Sequence, residues 1–113
     1  MGQSLYLRCD PVRSLAYTSL GASYVALGTQ LTTAPRIYFI QNLTNATLMF
    51  SYDGVNDHFP LPANGFRLLD VCTNQIATQG FFVSAGTQFY VKNVGTPTSG
   101  SVYLTVEYAK TTA

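Results

Sequence analysis

Apolar and polar residues alternate along much of this chain, and this alternation predicts β-strands. The clearest case is residues 101–108, where Val102, Leu104 and Val106 share one side and mostly polar residues occupy the other. A period of two is typical of a strand with one buried face. Similar alternation or short apolar runs predict further strands at 5–7, 24–27, 36–40, 48–52, 66–71 and 88–93.

Turn-forming residues separate these segments at short intervals. Gly, Pro, Asn and Asp recur in stretches such as 42–45, 53–54, 62–65 and 96–100. About eight short strands at this spacing predict an all-β fold, an antiparallel β-sandwich or jelly roll. We expect one domain over residues 1–113, with 1–20 forming an N-terminal arm or edge strand. Thr73 to Gly80 has no strand pattern and predicts a loop or a single helical turn.

The shared register of the strands predicts which side chains point between the two sheets, because a slip of one residue would expose them. Residues 36–40 are apolar on both faces, which predicts a central strand covered on both sides. The predicted core consists of Ile37, Phe39, Leu48, Phe50, Phe66, Leu68, Phe89, Val91, Val102, Leu104 and Val106.

Charge is unusually sparse, and this bears on function. Only 10% of the residues are charged and the net charge is +1, whereas an ordinary globular domain is about a quarter charged. A nearly neutral surface promotes association. Residues 17–35 carry no charge to guard a sheet edge. We therefore expect a trimer or ring, with interface residues Leu5, Tyr6, Leu7, Tyr17, Tyr24, Val25 and Leu27.

Other partners are disfavoured by the same composition. No run of Lys or Arg provides an electrostatic footprint for nucleic acid or anionic lipid. No window approaches the roughly 18 apolar residues of a membrane span. The first residues lack the basic region and apolar run of a signal peptide, which predicts synthesis in a cytoplasm.

The cysteines and the single histidine offer little metal chemistry. Cys9 and Cys72 lie far apart, and without an export signal two free buried thiols are favoured over the alternative, a disulfide. Together with His58 they supply too few ligands for a structural zinc site, which needs four. We expect no metal and no cofactor.

His58 stands close to the carboxylates of Asp53 and Asp57. An acid–base pair is one interpretation, but a general base needs a nucleophile or substrate within hydrogen-bond reach. Calcium is another, although the loop departs from the EF-hand spacing and lacks its terminal Glu. Because hairpin loops use Asp and Asn for their own backbone, a structural turn is preferred. The sequence therefore predicts no catalytic residue.

Two features bear on glycans. Asn42-Leu43-Thr44 and Asn45-Ala46-Thr47 match the N-glycosylation pattern, but a polar hairpin turn is the simpler interpretation without a signal peptide. The chain also has eight tyrosines, which could stack on sugar rings. Most of them lie in predicted strands, where about half should face the core.

A series of short motifs covers most of the chain after residue 20. It comprises Tyr24-Val25-Ala26-Leu27-Gly28-Thr29, Pro35-Arg36-Ile37, Asn42-Leu43-Thr44, residues 51–58, Leu61-Pro62-Ala63, Leu69-Asp70, Asn74, residues 86–92 and residues 99–103. In this pattern the chain resembles small structural proteins of tailed bacteriophages. The resemblance implies a β-sandwich assembled into the virion, as a capsid cement or decoration subunit or as a head–tail or tail component, with no catalytic residues.

We therefore expect a structural subunit of a virion that contacts itself and larger virion proteins. The alternative is a carbohydrate-binding or receptor-binding β-sandwich module. Such a module predicts a concave patch of tyrosines flanked by Asn, Asp or Arg. An enzyme is disfavoured because no reactive constellation is present in the sequence.

Overall fold

Short strands joined by tight turns build the molecule. The computed structural model describes residues 5–70 and 85–111. Within them, one 3₁₀ turn at Tyr17–Ser19 accompanies nine strands. The strands are β1 Leu5–Cys9, β2 Arg13–Ala16, β3 Val25–Ala26, β4 Ile37–Asn42, β5 Leu48–Ser51, β6 Phe59–Leu61, β7 Phe66–Asp70, β8 Tyr90–Asn93 and β9 Ser101–Thr111.

The strands form two antiparallel sheets. The five-stranded sheet has the order β1-β9-β4-β7, and β2 also pairs with β9. The four-stranded sheet has the order β3-β8-β5-β6. Buried side chains from both sheets form one hydrophobic cluster. The fold is therefore an all-β antiparallel sandwich, as the sequence predicts.

β9 is the longest strand and pairs with three others. β2 lies against residues 101–104 and β1 against residues 107–111 on the same side of β9. Pro11, which has no backbone N–H to donate, stands between β1 and β2 and interrupts this edge. On the other side of β9, β4 pairs with residues 102–107 only. Beyond residue 107, β1 and β9 therefore continue as a two-stranded ribbon.

Most of the predicted core is confirmed. Leu48, Phe50, Phe89, Val91, Val102, Leu104 and Val106 are all almost completely buried. They are joined by residues that the sequence pattern did not place there, namely Leu27, Leu31, Tyr38, Ile40 and Leu61.

The predicted register is wrong in β4 and β7. Tyr38 and Ile40 point into the core, whereas Ile37 and Phe39, which were expected there, are only half-buried. Because β4 is apolar on both faces, alternation alone could not select the inner one. A tyrosine can be buried when its hydroxyl finds a partner, and the Tyr38 hydroxyl lies 2.6 Å from that of Tyr52.

The error in β4 extends to its neighbour. Phe66 and Leu68 of β7 were expected in the core but are 63% and 58% exposed. Leu68 stands opposite Phe39 in the β4–β7 register, so the two side chains share the outer face. β4 is central within its sheet, but among the described residues its outer face is not covered by a second layer. The expectation of a doubly covered strand is therefore wrong.

A buried asparagine ties the hairpin between β4 and β5 to the turn between β6 and β7. The Asn42 amide nitrogen donates to the carbonyl oxygens of Ala46, Leu61 and Pro62. Its oxygen accepts from the backbone N–H and the hydroxyl of Thr44. The Asn42-Leu43-Thr44 motif is thus used inside the fold, in agreement with the interpretation as a polar turn.

The reassigned faces lead to a matched pair of substitutions. Leu104→Ala should lower the free energy of unfolding by about 2–5 kcal/mol, because it leaves a cavity in the core. Leu68→Ala, the same change on the outer face, should cost less than about 1 kcal/mol. Urea unfolding of the two variants provides the comparison. Equal losses would contradict the assignment of the faces.

Candidate functional site

The outer face of the five-stranded sheet is the first candidate site. We define it as the side chains of β1, β9, β4 and β7 that point away from the other sheet. Phe39 stands at its centre, opposite Thr105 on one side and Leu68 on the other. The rings of Phe39 and Phe66 meet edge to face, with centroids 5.5 Å apart. Apolar side chains thus form a continuous surface across β4 and β7.

On the part of the outer face formed by β4, β7 and the adjoining residues of β9, charge is confined to one end. Asp70 and Glu107 both stand opposite Ile37, at the start of β4. Next to them is a shallow groove of about 300 Å³, lined by Ile37, Phe39, Leu68, Thr105 and Glu107. Grooves with an apolar floor and a charged rim are typical of surfaces that accept a side chain from another protein.

Part of the predicted N-terminal interface lies on this face. Leu5, Tyr6 and Leu7 belong to β1, and Leu7 is 65% exposed. By the register with β9, Leu7 stands opposite Ala109 in the ribbon. Cys9, the neighbour of Leu7 on the same face, is a free and exposed cysteine. The expectation of a buried thiol is therefore wrong for Cys9, and Cys72 lies outside the described residues.

The other predicted interface residues have partners within the chain. Leu27 is fully buried in the core, so its prediction as an interface residue is wrong. It follows the short β3, and its backbone N–H donates to the carbonyl of Phe89, which holds it inside the second sheet. Val25 packs against the core. Tyr17, in the 3₁₀ turn, is half-buried, and its N–H donates to the carbonyl of Gly100.

Tyr24 is held by a charged cluster. Its hydroxyl donates to the Asp57 carboxylate at 2.6 Å, and Lys92 lies 2.9 Å from the same oxygen. The Lys92 ammonium is also 4.7 Å from the centre of the Tyr24 ring. Burial and the bond to Asp57 raise the pKa of Tyr24 to about 12. This predicted interface residue therefore anchors the 51–58 loop.

A cavity at one end of the sandwich is the second candidate site. β5 and β7 end there, and β4 and β8 begin there, so residues distant in sequence meet. The cavity has a volume of about 730 Å³, within the range of small-molecule sites. It is lined by Gln30, Tyr38, Tyr52, Asp53, Arg67, Leu69, Gly86, Thr87, Gln88 and Tyr90.

Tyrosines form the inner wall of the cavity. The ring centroids of Tyr38 and Tyr52 lie 5.0 Å and 5.4 Å, respectively, from the ring centroid of Phe89. Burial, followed by the hydrogen bond with Tyr52, raises the pKa of the Tyr38 phenol well above its usual range. The Tyr38 hydroxyl therefore acts as a neutral hydrogen-bonding group.

Arg67 contributes a cation to this wall. It points inward from β7, and its guanidinium lies 4.6 Å from the centre of the Phe59 ring. Hydrogen bonding to the Tyr38 hydroxyl raises the pKa of the guanidinium further, so it is always charged. Its Nε atom is shielded from solvent and has no hydrogen-bond partner among the described residues.

Asp53, on the rim of the cavity, is used by its own loop. One carboxylate oxygen accepts from the backbone N–H groups of Val55 and Asn56 at 2.8 and 2.9 Å, and from the Ser51 hydroxyl at 2.8 Å. The backbone bond from Asn56 is the largest of the influences that hold the pKa of Asp53 far below its usual value. The loop therefore forms the structural turn that the sequence predicts.

His58 closes the same loop. Its Nδ1 atom accepts the backbone N–H of Tyr52 at 3.0 Å, and its ring packs on the Tyr52 ring. Within the described ranges, no three His, Cys, Asp or Glu side chains are grouped as metal ligands would be. Arg67 was not singled out from the sequence, although an arginine among apolar residues in a predicted strand was the available signal.

No protein-family profile, curated protein or solved structure matches the chain. In residues 5–70 and 85–111, no helix is long and apolar enough to cross a membrane. The features that bear on function are an apolar outer face and a tyrosine-lined cavity at one end of the β-sandwich.

The hydrogen bonds to the Asp53 carboxylate predict that the stability of the fold depends on pH. Because its pKa in the folded state is below the ordinary 3.8, the charged form stabilises the fold above about pH 4. This stabilisation is lost as the pH falls towards the lowered pKa. Asp53→Ala should lower the melting temperature at pH 7, and the difference from wild type should shrink below pH 3.8.

Val55→Ala, in the same loop, is the control for this experiment. Val55 is 79% exposed and uncharged, so its substitution should shift the melting temperature equally at every pH. A difference between Asp53→Ala and wild type that stays constant down to the lowest pH would contradict the assigned role. Calorimetry or circular dichroism melts over the pH series would measure both variants.

Proposed function

We propose that this chain is a structural subunit of a bacteriophage virion, made in the host cytoplasm. It covers or bridges capsid or tail proteins through non-catalytic contacts. The observation that carries this proposal is the apolar outer face, with Phe66 and Leu68 63% and 58% exposed. Large contiguous apolar surfaces on a folded protein mark interaction sites.

The energetics of the outer face favour association. Complete burial of a Leu or Phe side chain contributes about 1.5–3 kcal/mol. Phe66 and Leu68 are mostly exposed in the single chain. Much of this stabilisation can therefore still be gained when another protein buries them. Two charged residues, Asp70 and Glu107, lie at one end, where an interface rim can keep them hydrated. Contact with another protein therefore stabilises this face at little cost in desolvated charge.

The β1–β9 ribbon supports the same proposal. A two-stranded ribbon by itself is only marginally stable in water, and here it extends beyond the pairing with β4. Leu7 in the ribbon is 65% exposed and adds a second apolar position on the same face, beyond Glu107. A neighbouring subunit packed on β1 would stabilise the ribbon. Closed symmetry, in a trimer or ring, would keep such contacts from running on into fibres.

The virion assignment rests on the resemblance to tailed-phage structural proteins together with the sparse charge. A surface with 10% charged residues is suited to permanent contact with other protein. Larger virion proteins are the partners implied by the resemblance, and further copies of this chain are the partners that the sheet edges favour.

The alternative function, carbohydrate or receptor binding, would use the tyrosine-lined cavity. Its tyrosines are arranged mainly for internal contact. The ring of Tyr52 packs on His58, Phe59 and Phe89. The ring of Tyr90 lies against Gly54. Sugar recognition by ring stacking needs an open ring face, which these packed rings do not offer, so the assembly function is preferred.

A charge placed on the outer face tests the proposal. Leu68→Glu should dissociate the oligomer, because a buried unpaired carboxylate is costly. Val55→Glu puts the same charge in the 51–58 loop, where Val55 is 79% exposed, and should leave assembly unchanged. Sedimentation velocity over a concentration series would measure the oligomer. The apparent dissociation constant of Leu68→Glu should rise at least about tenfold.

Both variants should keep the circular dichroism spectrum of wild type, because both positions are exposed in the single chain. A wild-type protein that stays monomeric at high concentration would count against self-association. If Leu68→Glu assembled as strongly as wild type, the outer face would not be the surface of assembly.

A further inference from the structure

The charge on Arg67 is not balanced by any acidic side chain inside the sandwich. The guanidinium lies over the Phe59 ring and is hydrogen-bonded to the Tyr38 and Tyr52 hydroxyls. Its Nε–H has neither solvent nor a hydrogen-bond partner among the described residues. A partly desolvated cation without a counter-charge is costly, so this residue needs a reason beyond stability.

Three of the five acidic residues of the chain are engaged elsewhere. Asp10 lies 3.3 Å from the Arg13 guanidinium, and Asp57 lies 2.9 Å from the Lys92 ammonium. Asp53 accepts four hydrogen bonds from its own loop. Each of these carboxylates already has its partners.

The two remaining acidic residues face the other way. Asp70 and Glu107 both stand opposite Ile37 on the outer face of the sheet. Arg67 is on the opposite side of β7, because side chains alternate along a strand. Residues 71–84, which follow β7 in the sequence, include no Asp or Glu. No acidic side chain of this chain is therefore placed to pair with Arg67.

The cavity beside Arg67 is polar enough to bind a hydroxylated molecule. Its volume of about 730 Å³ suits a small ligand. The lining also includes Gln30, Thr87 and Gln88, although the Gln88 Nε2 atom already donates to the carbonyl oxygens of Gly28 and Phe89. Arg67 is the only Lys or Arg among the described residues that line it. The rim also carries the Asp53 carboxylate, which is bonded by its own loop, so the single cation of the lining fits a monoanion better than a phosphate dianion.

We propose that this cavity binds a small hydroxylated carboxylate, such as a sugar acid, whose carboxylate pairs with Arg67. The planar guanidinium matches a carboxylate in shape and charge. The Tyr38 and Tyr52 hydroxyls lie beside it, and the one that accepts in their mutual hydrogen bond keeps its own O–H to donate to the same anion. This binding is separate from the assembly function, because the cavity and the outer face lie on different parts of the sandwich.

Arg67→Met is the variant that tests the proposal. It removes the charge but keeps an unbranched side chain that packs in a similar space. Without ligand, the variant should be at least as stable as wild type, because replacing an unpaired, desolvated charge by an apolar group is often neutral or stabilising. The matched control is Arg8→Gln, which removes an exposed arginine of β1 that does not line the cavity.

Glucuronate is the probe, and glucose is its uncharged counterpart. Glucuronate should bind wild type and Arg8→Gln in a saturable manner and raise their melting temperatures. Its affinity for Arg67→Met should fall about tenfold or more, because a charge-assisted pair is lost. Glucose should bind wild type more weakly than glucuronate does. Its affinity for Arg67→Met should equal its affinity for wild type. Calorimetric titration and thermal melts would measure these effects.

Several results would overturn the proposal. These are the absence of saturable glucuronate binding at millimolar concentration, equal binding to Arg67→Met and wild type, and tighter binding of inorganic phosphate than of glucuronate. Equal affinity for acetate would also contradict it, because acetate has the carboxylate but not the hydroxyls.

Discussion

The pairing of β9 with β1, β2 and β4 is the constraint on which the rest of the structure depends. Its inward residues Val102, Leu104 and Val106 are completely buried and join the core shared by both sheets. Its outward residues form the middle of the outer face, beside β4. One strand therefore fixes both the stability of the sandwich and the position of the surface proposed for assembly. Because side chains alternate along a strand, neither role can shift without the other.

The sequence is most informative where one face of a strand is apolar and the other polar. In β9 this contrast predicts the buried side correctly. In β4 the contrast is absent. Whether Tyr38 or Phe39 faces the core depends on a partner for the Tyr38 hydroxyl, which Tyr52 supplies just after β5 and which no local pattern reveals. β6 was missed because Pro60 argues against a strand, yet proline is tolerated there, since β6 lies at a sheet edge. β2 was missed because it is short and has little apolar periodicity.

The candidate sites were harder to predict than the fold. The outer face was missed because Phe66 and Leu68 have the pattern of core residues, and only the register with β4 shows that they face outward. The cavity joins the ends of four strands, so its residues come from widely separated segments. The loop around Asp53 was predictable as a turn, because its hydrogen bonds are local in sequence. Arg67 has no local feature that reveals its missing counter-charge.

The central claim is that the apolar outer face is the surface through which this chain assembles. Covalent footprinting of side chains, on the assembled particle and on the dissociated protein, tests it most directly. Labelling of Phe66 and Leu68 should fall strongly on assembly, whereas labelling of Val55 in the exposed loop should be retained. Unchanged labelling of Phe66 and Leu68, with protection of the 51–58 loop instead, would contradict the account.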